Sequence, residues 1–165
     1  MGERFTVEHV EYATSQPFEQ VTAAFEAATG DISGGRFEQE LAASKDVEDF
    51  ERRIHGYEAD SGFMRFLMLD HGAWSALYGA PFRSRQYVLG NPLIARTMMK
   101  HDLAVGLNVP VRVLIYEASG GQVRLGYDLP SSLMSRLDNP EVTAAARKLD
   151  AKLAALAERV MGEKA

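Results

Sequence analysis

The chain contains no cysteine. That absence removes disulfides, thiolate metal sites, redox pairs and a cysteine nucleophile together, so whatever stabilises the fold is noncovalent. Basic residues are also in short supply: 18 Lys and Arg stand against 23 Asp and Glu, for a net charge of -5. A nucleic-acid partner is therefore not expected, because such binders carry a clustered basic face. Apolar runs such as that around Leu67 to Leu69 are far short of the roughly 20 residues of a membrane span. The first residues, MGERFTVEHV, carry no apolar h-region. The expectation is a cytoplasmic chain with no membrane partner.

Several motifs are missing as well. Neither GxGxxG nor GxxxxGK[ST] occurs, so a nucleotide phosphate loop is unsupported. There is no GxSxG elbow, and Ser131-Ser132 after Pro130 start a helix more simply than they act as nucleophiles. His9, His55, His71 and His101 never fall at HxH or HExxH spacing; no metal and no cofactor are expected.

What remains is a soluble globular composition, 46% hydrophobic and 25% charged over 165 residues, enough for one domain with one core. Residues 4–13 read as a strand with a bulge near Glu8-His9, because Phe5 and Val7 alternate on one parity and Val10 and Tyr12 on the other. Ser15 or Gln16 caps a helix with Pro17 in its first turn, ended by Gly30. DISGG at 31–35 is a loop, and Phe37, Leu41, Val47, Phe50 and Ile54 mark one interrupted or two short amphipathic helices ending near Gly56. GFMRFLML at 62–69 is a strand apolar on both parities, expected to be central and covered on both faces. If helices cover one face, either the 37–55 segment or a second subunit covers the other, which makes a homodimer the expectation.

DHGAWSALYG reads as a short helix closed by glycine, and RQYVLG as a strand running into a helix from Pro92 to about Lys100. PVRVLIYEA and QVRLGYD form a hairpin around Gly120-Gly121, with Glu117 set opposite Arg124. LPSSLMSRL is a short helical segment. Asn139 then caps the longest helix, whose apolar positions Val142, Ala146, Leu149, Leu153, Leu156 and Val160 form a narrow seam for packing across a sheet. The strands and helices do not alternate as in a parallel nucleotide-binding sheet, so the fold class is α+β, a mainly antiparallel sheet with helices on one face.

Candidate chemistry is sparse. At Gly90-Asn91-Pro92 the residues make a helix start, with Asn91 accepting from a first-turn N–H. The remaining N–H groups and the helix dipole would favour an anion if Arg112 or Arg83 converged there. Asp70 either caps the following helix or pairs with His71, the one histidine placed at a strand end where imidazole could act as a general base. Trp74 and Tyr78, one turn apart, either stack on a flat ligand or pack on the sheet. Met64, Met68, Met98, Met99 and Met134 are core filler or the lining of an adaptable pocket.

In this order, "DHG", "YVLGNP", "VPVRVLIYE", the Gly-Gly hairpin and "GYDLPSSL" resemble the uncharacterised bacterial and archaeal family called domain of unknown function 302, over about residues 62–137. The resemblance implies a curved antiparallel sheet of TATA-binding-protein-like β-α-β4-α topology, commonly a homodimer, with no established activity. Its matched motif positions are His71, Gly90, Asn91, Pro92, Pro110, Arg112 and Glu117. The chain departs from it in a segment at about 31–58 and a C-terminal helix at about 140–161. Taken as a single domain, 1–165, the chain is expected to bind a small anionic or flat ligand near His71, Gly90, Asn91, Arg112 and Glu117. The alternatives are an enzyme with His71 as general base and Arg112 as anion stabiliser, or a purely structural domain.

Overall fold

A computed structural model of the chain describes residues 2–162. In chain order its elements are β1 (His9–Thr14), α1 (Phe18–Ala28), β2 (Gly30–Asp31), α2 (Arg36–Ala43), α3 (Val47–His55), β3 (Met64–Asp70), α4 (His71–Ser75), β4 (Ser84–Gly90), α5 (Pro92–Met99), β5 (Val111–Glu117), β6 (Val123–Asp128), α6 (Pro130–Met134) and α7 (Pro140–Met161). Single 3-10 turns at Ala76–Tyr78, Leu103–Leu107 and Ser135–Leu137 finish or link helices. The strands form one six-stranded sheet in the order β1-β6-β5-β4-β3-β2, antiparallel throughout except between β2 and β3. This is the α+β class read from the sequence.

Local chemistry starts the helices. Asn91, Asn139 and Asp70 each accept a hydrogen bond from a first-turn N–H of the helix that follows, which satisfies a donor that the helix itself leaves free. Pro92 and Pro140 follow directly, where a missing N–H does no harm. The six seam positions of α7 are all buried. They pack with Val21 and Phe25 of α1 against the inward side chains Tyr12, Leu125, Val113, Ile115, Tyr87 and Leu89 of four successive strands. Strand alternation sends Arg112, Leu114 and Tyr116 to the opposite face.

A smaller second cluster lies on that opposite side at one end of β3. Phe63 belongs to the main core while its neighbour Met64 packs with Ile32 and Ile54. Phe37, Phe50, Phe66 and Tyr57 pack around them. The helices of the 31–58 segment thus cover the second face, but only locally. Their attachment depends on a close approach: a Cβ at Gly30 would collide with the backbone carbonyl of Tyr57, so only glycine fits there.

Five expectations need correction. The strand at 62–69 is neither central nor shielded: β3 is next to the edge, and Leu67, Met68 and Leu69 remain 45%, 42% and 42% exposed. Its parity is broken by a bulge, since Arg65 pairs with Leu89 and Leu67 with Val88, which leaves Phe66 as the extra residue. Every side chain after an inserted residue changes face. Met64 and Met68 therefore lie on opposite sides of the sheet, Met68 being opposite Tyr87. No bulge occurs in β1, which starts at His9 and pairs without interruption; Phe5 and Val7 lie outside it and are exposed. The DISGG loop begins inside β2, a two-residue strand fixed only by pairing to Met64 and Arg65. Pro17 itself occupies the cap position of α1, with no side-chain cap from Ser15 or Gln16. Finally, Glu117 pairs with Val123, and it is Tyr116 that faces Arg124.

Replacing Ile54, which is fully buried beneath the second cluster, by Ala is expected to lower the unfolding free energy by about 2–5 kcal/mol in a denaturant titration. A change within about 0.5 kcal/mol would mean that the 31–58 helices do not share the cooperative unit.

Candidate functional site

The corner where β4 passes into α5 is built around one buried amide. Asn91 is 5% exposed. Its Oδ1 accepts from the Leu93 N–H at 2.9 Å, while its Nδ2 donates to Glu58 Oε1 at 2.5 Å and to the Gly62 carbonyl at 2.9 Å. Both ends of the side chain are occupied, Pro92 has no N–H to offer, and that of Leu93 is taken. The Ala95 N–H goes to the Asn91 carbonyl, which leaves the Ile94 N–H of the first turn, one donor and not the converging set that an anion cradle needs.

Beside it lies a cleft of about 200 Å³. Gly90, Asn91 and Pro92 form one wall, Ala95, Met98 and Met99 of α5 another, and Val109-Pro110 faces them across a cis peptide bond. Phe37 of α2 and Phe66 of β3 close the side, with ring centroids 5.4 Å apart and nearly perpendicular. No charged side chain lines this cleft. Gly90 has ordinary strand geometry, and a methyl group there would reach Pro110 at 3.6 Å. The glycine leaves space open rather than permitting a sharp turn.

Asn91, Ile94 and Leu149 also line a second cleft of about 320 Å³, which carries the charged or polar side chains of His55, Glu58, Thr97, Lys148 and Lys152. Here Glu58 Oε2 meets His55 Nδ1 at 3.0 Å. The hydrogen bond to Glu58, then the charge of that carboxylate, raises the imidazole above its ordinary 6.5. Sequence reasoning missed this group. Glu58 and Asn91 are 33 residues apart, no motif joins them, and Lys148 and Lys152 read only as a solvated helix face.

The remaining expected site residues lie elsewhere. Asp70 is opposite Arg85 and Gly90 opposite Met64, so His71 stands five strand residues from Gly90, on the order of 17 Å away. Asp70 does not pair with His71: it caps α4 through Ala73 N–H at 2.8 Å and lies 3.5 Å from Arg85. The His71 Nδ1 accepts from Trp74 Nε1 at 3.2 Å, and Trp74 and Tyr78 are both exposed rather than packed on the sheet. Arg112 is opposite Val88 and lines a broad groove of about 670 Å³ on the other sheet face, with His9, Gln86 and Asp128. Two strand spacings and three residues separate it from His71, on the order of 14 Å between Cα atoms. Glu117 sits with Arg83, 3.6 Å away, and Arg83 also pairs with Glu19. Of the five residues only Gly90 and Asn91 are neighbours in one site. A scheme with His71 as base and Arg112 or the helix start as anion stabiliser fails on these separations. The strongly shifted Tyr87 and Tyr127 phenols are pushed up first by burial; Tyr87 donates to the half-buried Glu26 at 2.7 Å, at the margin of the core. Among the described residues no group of three His, Asp or Glu is placed to hold a metal, and no helix is long and apolar enough to cross a membrane.

The chain belongs to the family described as domain of unknown function DUF302, whose model matches residues 39–160. That span is wider than the motifs at 62–137, taking in α3 and α7. A solved structure titled "Crystal structure of uncharacterized conserved protein DUF302 from Bacillus stearothermophilus" is similar over 92% of this chain and 97% of that one, at 16% identity and a TM-score of 0.66. Its likeness establishes the fold. No curated protein matches the chain.

Two outcomes follow from the Asn91 corner. Asn91→Ala removes the cap and leaves Glu58 and the Gly62 carbonyl without their donor, and is expected to cost about 1–3 kcal/mol of stability in thermal unfolding. By NMR titration His55 is expected to titrate above 6.5, and Glu58→Gln to bring it back towards that value. Because the folded value is the raised one, this contact contributes fully below 6.5 and is lost as pH rises through the elevated folded value. A His55 that titrates at or below 6.5 would remove Glu58 as a bound partner.

Proposed function

We propose that the chain is a binding module for a small, flat or compact apolar ligand, held in the cleft at the β4–α5 corner. The observation that carries this is the lining: about 200 Å³ bounded by Phe37, Phe66, Met98, Met99 and Pro110 with no charged side chain. An apolar space of that size has room for about one aromatic ring. The methionines fit such a role, since their flexible side chains adapt to ligands of different outline. An anionic ligand loses support, because the Asn91 amide is hydrogen-bonded at both ends and no charged side chain lines the cleft. Gly90 and Asn91 are the retained site residues; His71, Arg112 and Glu117 are not part of it. The reading places the module in the cytoplasm without a nucleic-acid partner, supported by a net charge of -5 and the lack of cysteine.

Indole is a suitable probe. Saturating indole is expected to raise the melting temperature of the wild-type chain, by on the order of 2–4 °C per kcal/mol of binding stabilisation. Ala95→Phe, which fills the cleft from α5, is expected to fold and to lose the response. No response from wild type, or an equal response from the variant, would overturn the site.

A further inference from the structure

The sheet splits at one end. β5 and β6 pair from Leu114–Gly126 to Glu117–Val123. Both strands run on beyond that pairing, β5 to Val111 beside β4 and β6 to Asp128 beside β1. At the split lies the broad groove of about 670 Å³, a volume within the range of small-ligand sites. Pro110 and Val111 stand between it and the apolar cleft and line both. The charged groups of the groove are Asp128 of β6 and Arg112 of β5, with the imidazole of His9 of β1 beside them.

His9 is opposite Asp128, and its Nδ1 lies 2.8 Å from Asp128 Oδ1. A carboxylate only accepts, so Nδ1 is the nitrogen that carries hydrogen, and in the neutral ring Nε2 is left as an acceptor. That Nε2 has no partner among the described residues. The ring is fixed a second time from below, because a Cβ at Gly126 would come within 3.2 Å of both its Cε1 and its Nε2. Gly126 has no positive φ, so its missing side chain makes room for the imidazole rather than for a turn. By itself a half-exposed ion pair adds little stability. What this one does is hold an acceptor at a set place on the groove wall.

Arg112 is exposed and has no ion pair or side-chain hydrogen bond among the described residues. Two residues along β1 from His9, Glu11 is already taken up by Arg124 and Tyr116, each at 2.7 Å. The groove therefore offers a cation with no bound counter-charge and, across β6 from it, a fixed acceptor. Their Cα atoms are separated by at least two strand spacings, on the order of 10 Å, which two side chains reaching inward reduce to the span of a small molecule.

We propose that this groove is a second binding site, for a small hydroxycarboxylate, with Arg112 holding the carboxylate and His9 Nε2 accepting from the hydroxyl. Three features select the class. A guanidinium binds planar oxyanions through paired N–H groups. An acceptor of fixed direction calls for a donor on the ligand, and a hydroxyl supplies one without charge, whereas an ammonium would compete with His9 for Asp128. One guanidinium matches one carboxylate, while the second charge of a phosphate would stand unmatched near the Asp128 carboxylate.

Titration of the full chain with lactate or 3-hydroxybutyrate, followed by NMR at the His9 ring and the Arg112 amide, is expected to give saturable shifts with a Kd on the order of 1–10 mM. Propionate and butyrate, which lack the hydroxyl, are expected to bind about 3–10-fold more weakly, the loss of one neutral hydrogen bond. Arg112→Gln is expected to keep its melting temperature and to weaken binding of the hydroxy acids by about 10–100-fold. Gly126→Ala, which displaces the ring, is expected to bring the hydroxy acids to the level of propionate and to leave propionate itself unaffected. No saturable shift with either hydroxy acid, or undiminished binding by Arg112→Gln, overturns the site. Equal affinity for butyrate and 3-hydroxybutyrate, or a neutral His9 ring that ¹⁵N NMR shows protonated at Nε2, overturns the hydroxyl contact. Tighter binding of inorganic phosphate overturns the carboxylate class.

Discussion

One buried amide holds four segments in place. Asn91 closes the end of β4, caps α5, and donates both to the Glu58 carboxylate that follows α3 and to the Gly62 carbonyl just before β3. A buried polar group left without partners costs about 1–3 kcal/mol, so these segments reach their lowest energy only in one mutual arrangement. That arrangement sets the spacing between α5, the 31–58 helices and the start of β5, and the apolar cleft is the space left between them. The one polar side chain in its lining, Asn91, is turned to Leu93, Glu58 and Gly62. The rest of the lining is apolar.

The bulge in β3 divides that strand into two regions of different character. Before it, Met64 joins Ile32 and Ile54 beneath the 31–58 helices. At it, Phe66 is turned to the ring of Phe37 at the side of the cleft. After it, the faces exchange, so that Leu67 and Leu69 lie on the side opposite the main core and Met68 opposite Tyr87. Met68 is on the same face as the α1 and α7 layer and is still exposed. A pattern with apolar residues on both parities is thus met by two separate neighbours at one end and by neither at the other. Dense burial of the whole strand is not the only structure that such a pattern permits.

The features legible in the sequence are those decided within three or four residues. Asp70, Asn91 and Asn139 were readable as caps because each hydrogen bond spans two or three positions. The α7 seam was readable because its period is that of a helix, and a seam of that width on a helix beside a sheet ends up buried. Illegible features depend on distant partners. A two-residue β2 exists only through Met64 and Arg65. The Glu117 register depends on how the turn between Ala118 and Gln122 closes, with Gly121 N–H donating to Ala118. The expected site was only half legible. "GNP" marked the right corner, but Arg112 and Glu117 of the sheet and His71 at the start of α4 do not share a site with it, because β4 alone separates its two ends by most of a domain's width.

The cleft and the free edge are consequently parts of one strand's geometry. Phe66 is the residue at which they meet: its ring belongs to the cleft, and the backbone beyond it is the first that lacks a neighbour on the edge side. Had β3 run on without the extra residue, Met64, Phe66 and Met68 would lie on one face, and Leu67 with Leu69 would lie on the core side, facing the α1 layer. The edge would then show Met68 in place of Leu67 and Leu69 on the side turned from the core, while Phe66 would stay on the face of Met64, beside Phe37. The inserted residue therefore decides which side chains the edge beyond it shows, and Phe66, at the insertion itself, forms the wall of the binding space on the near side of it.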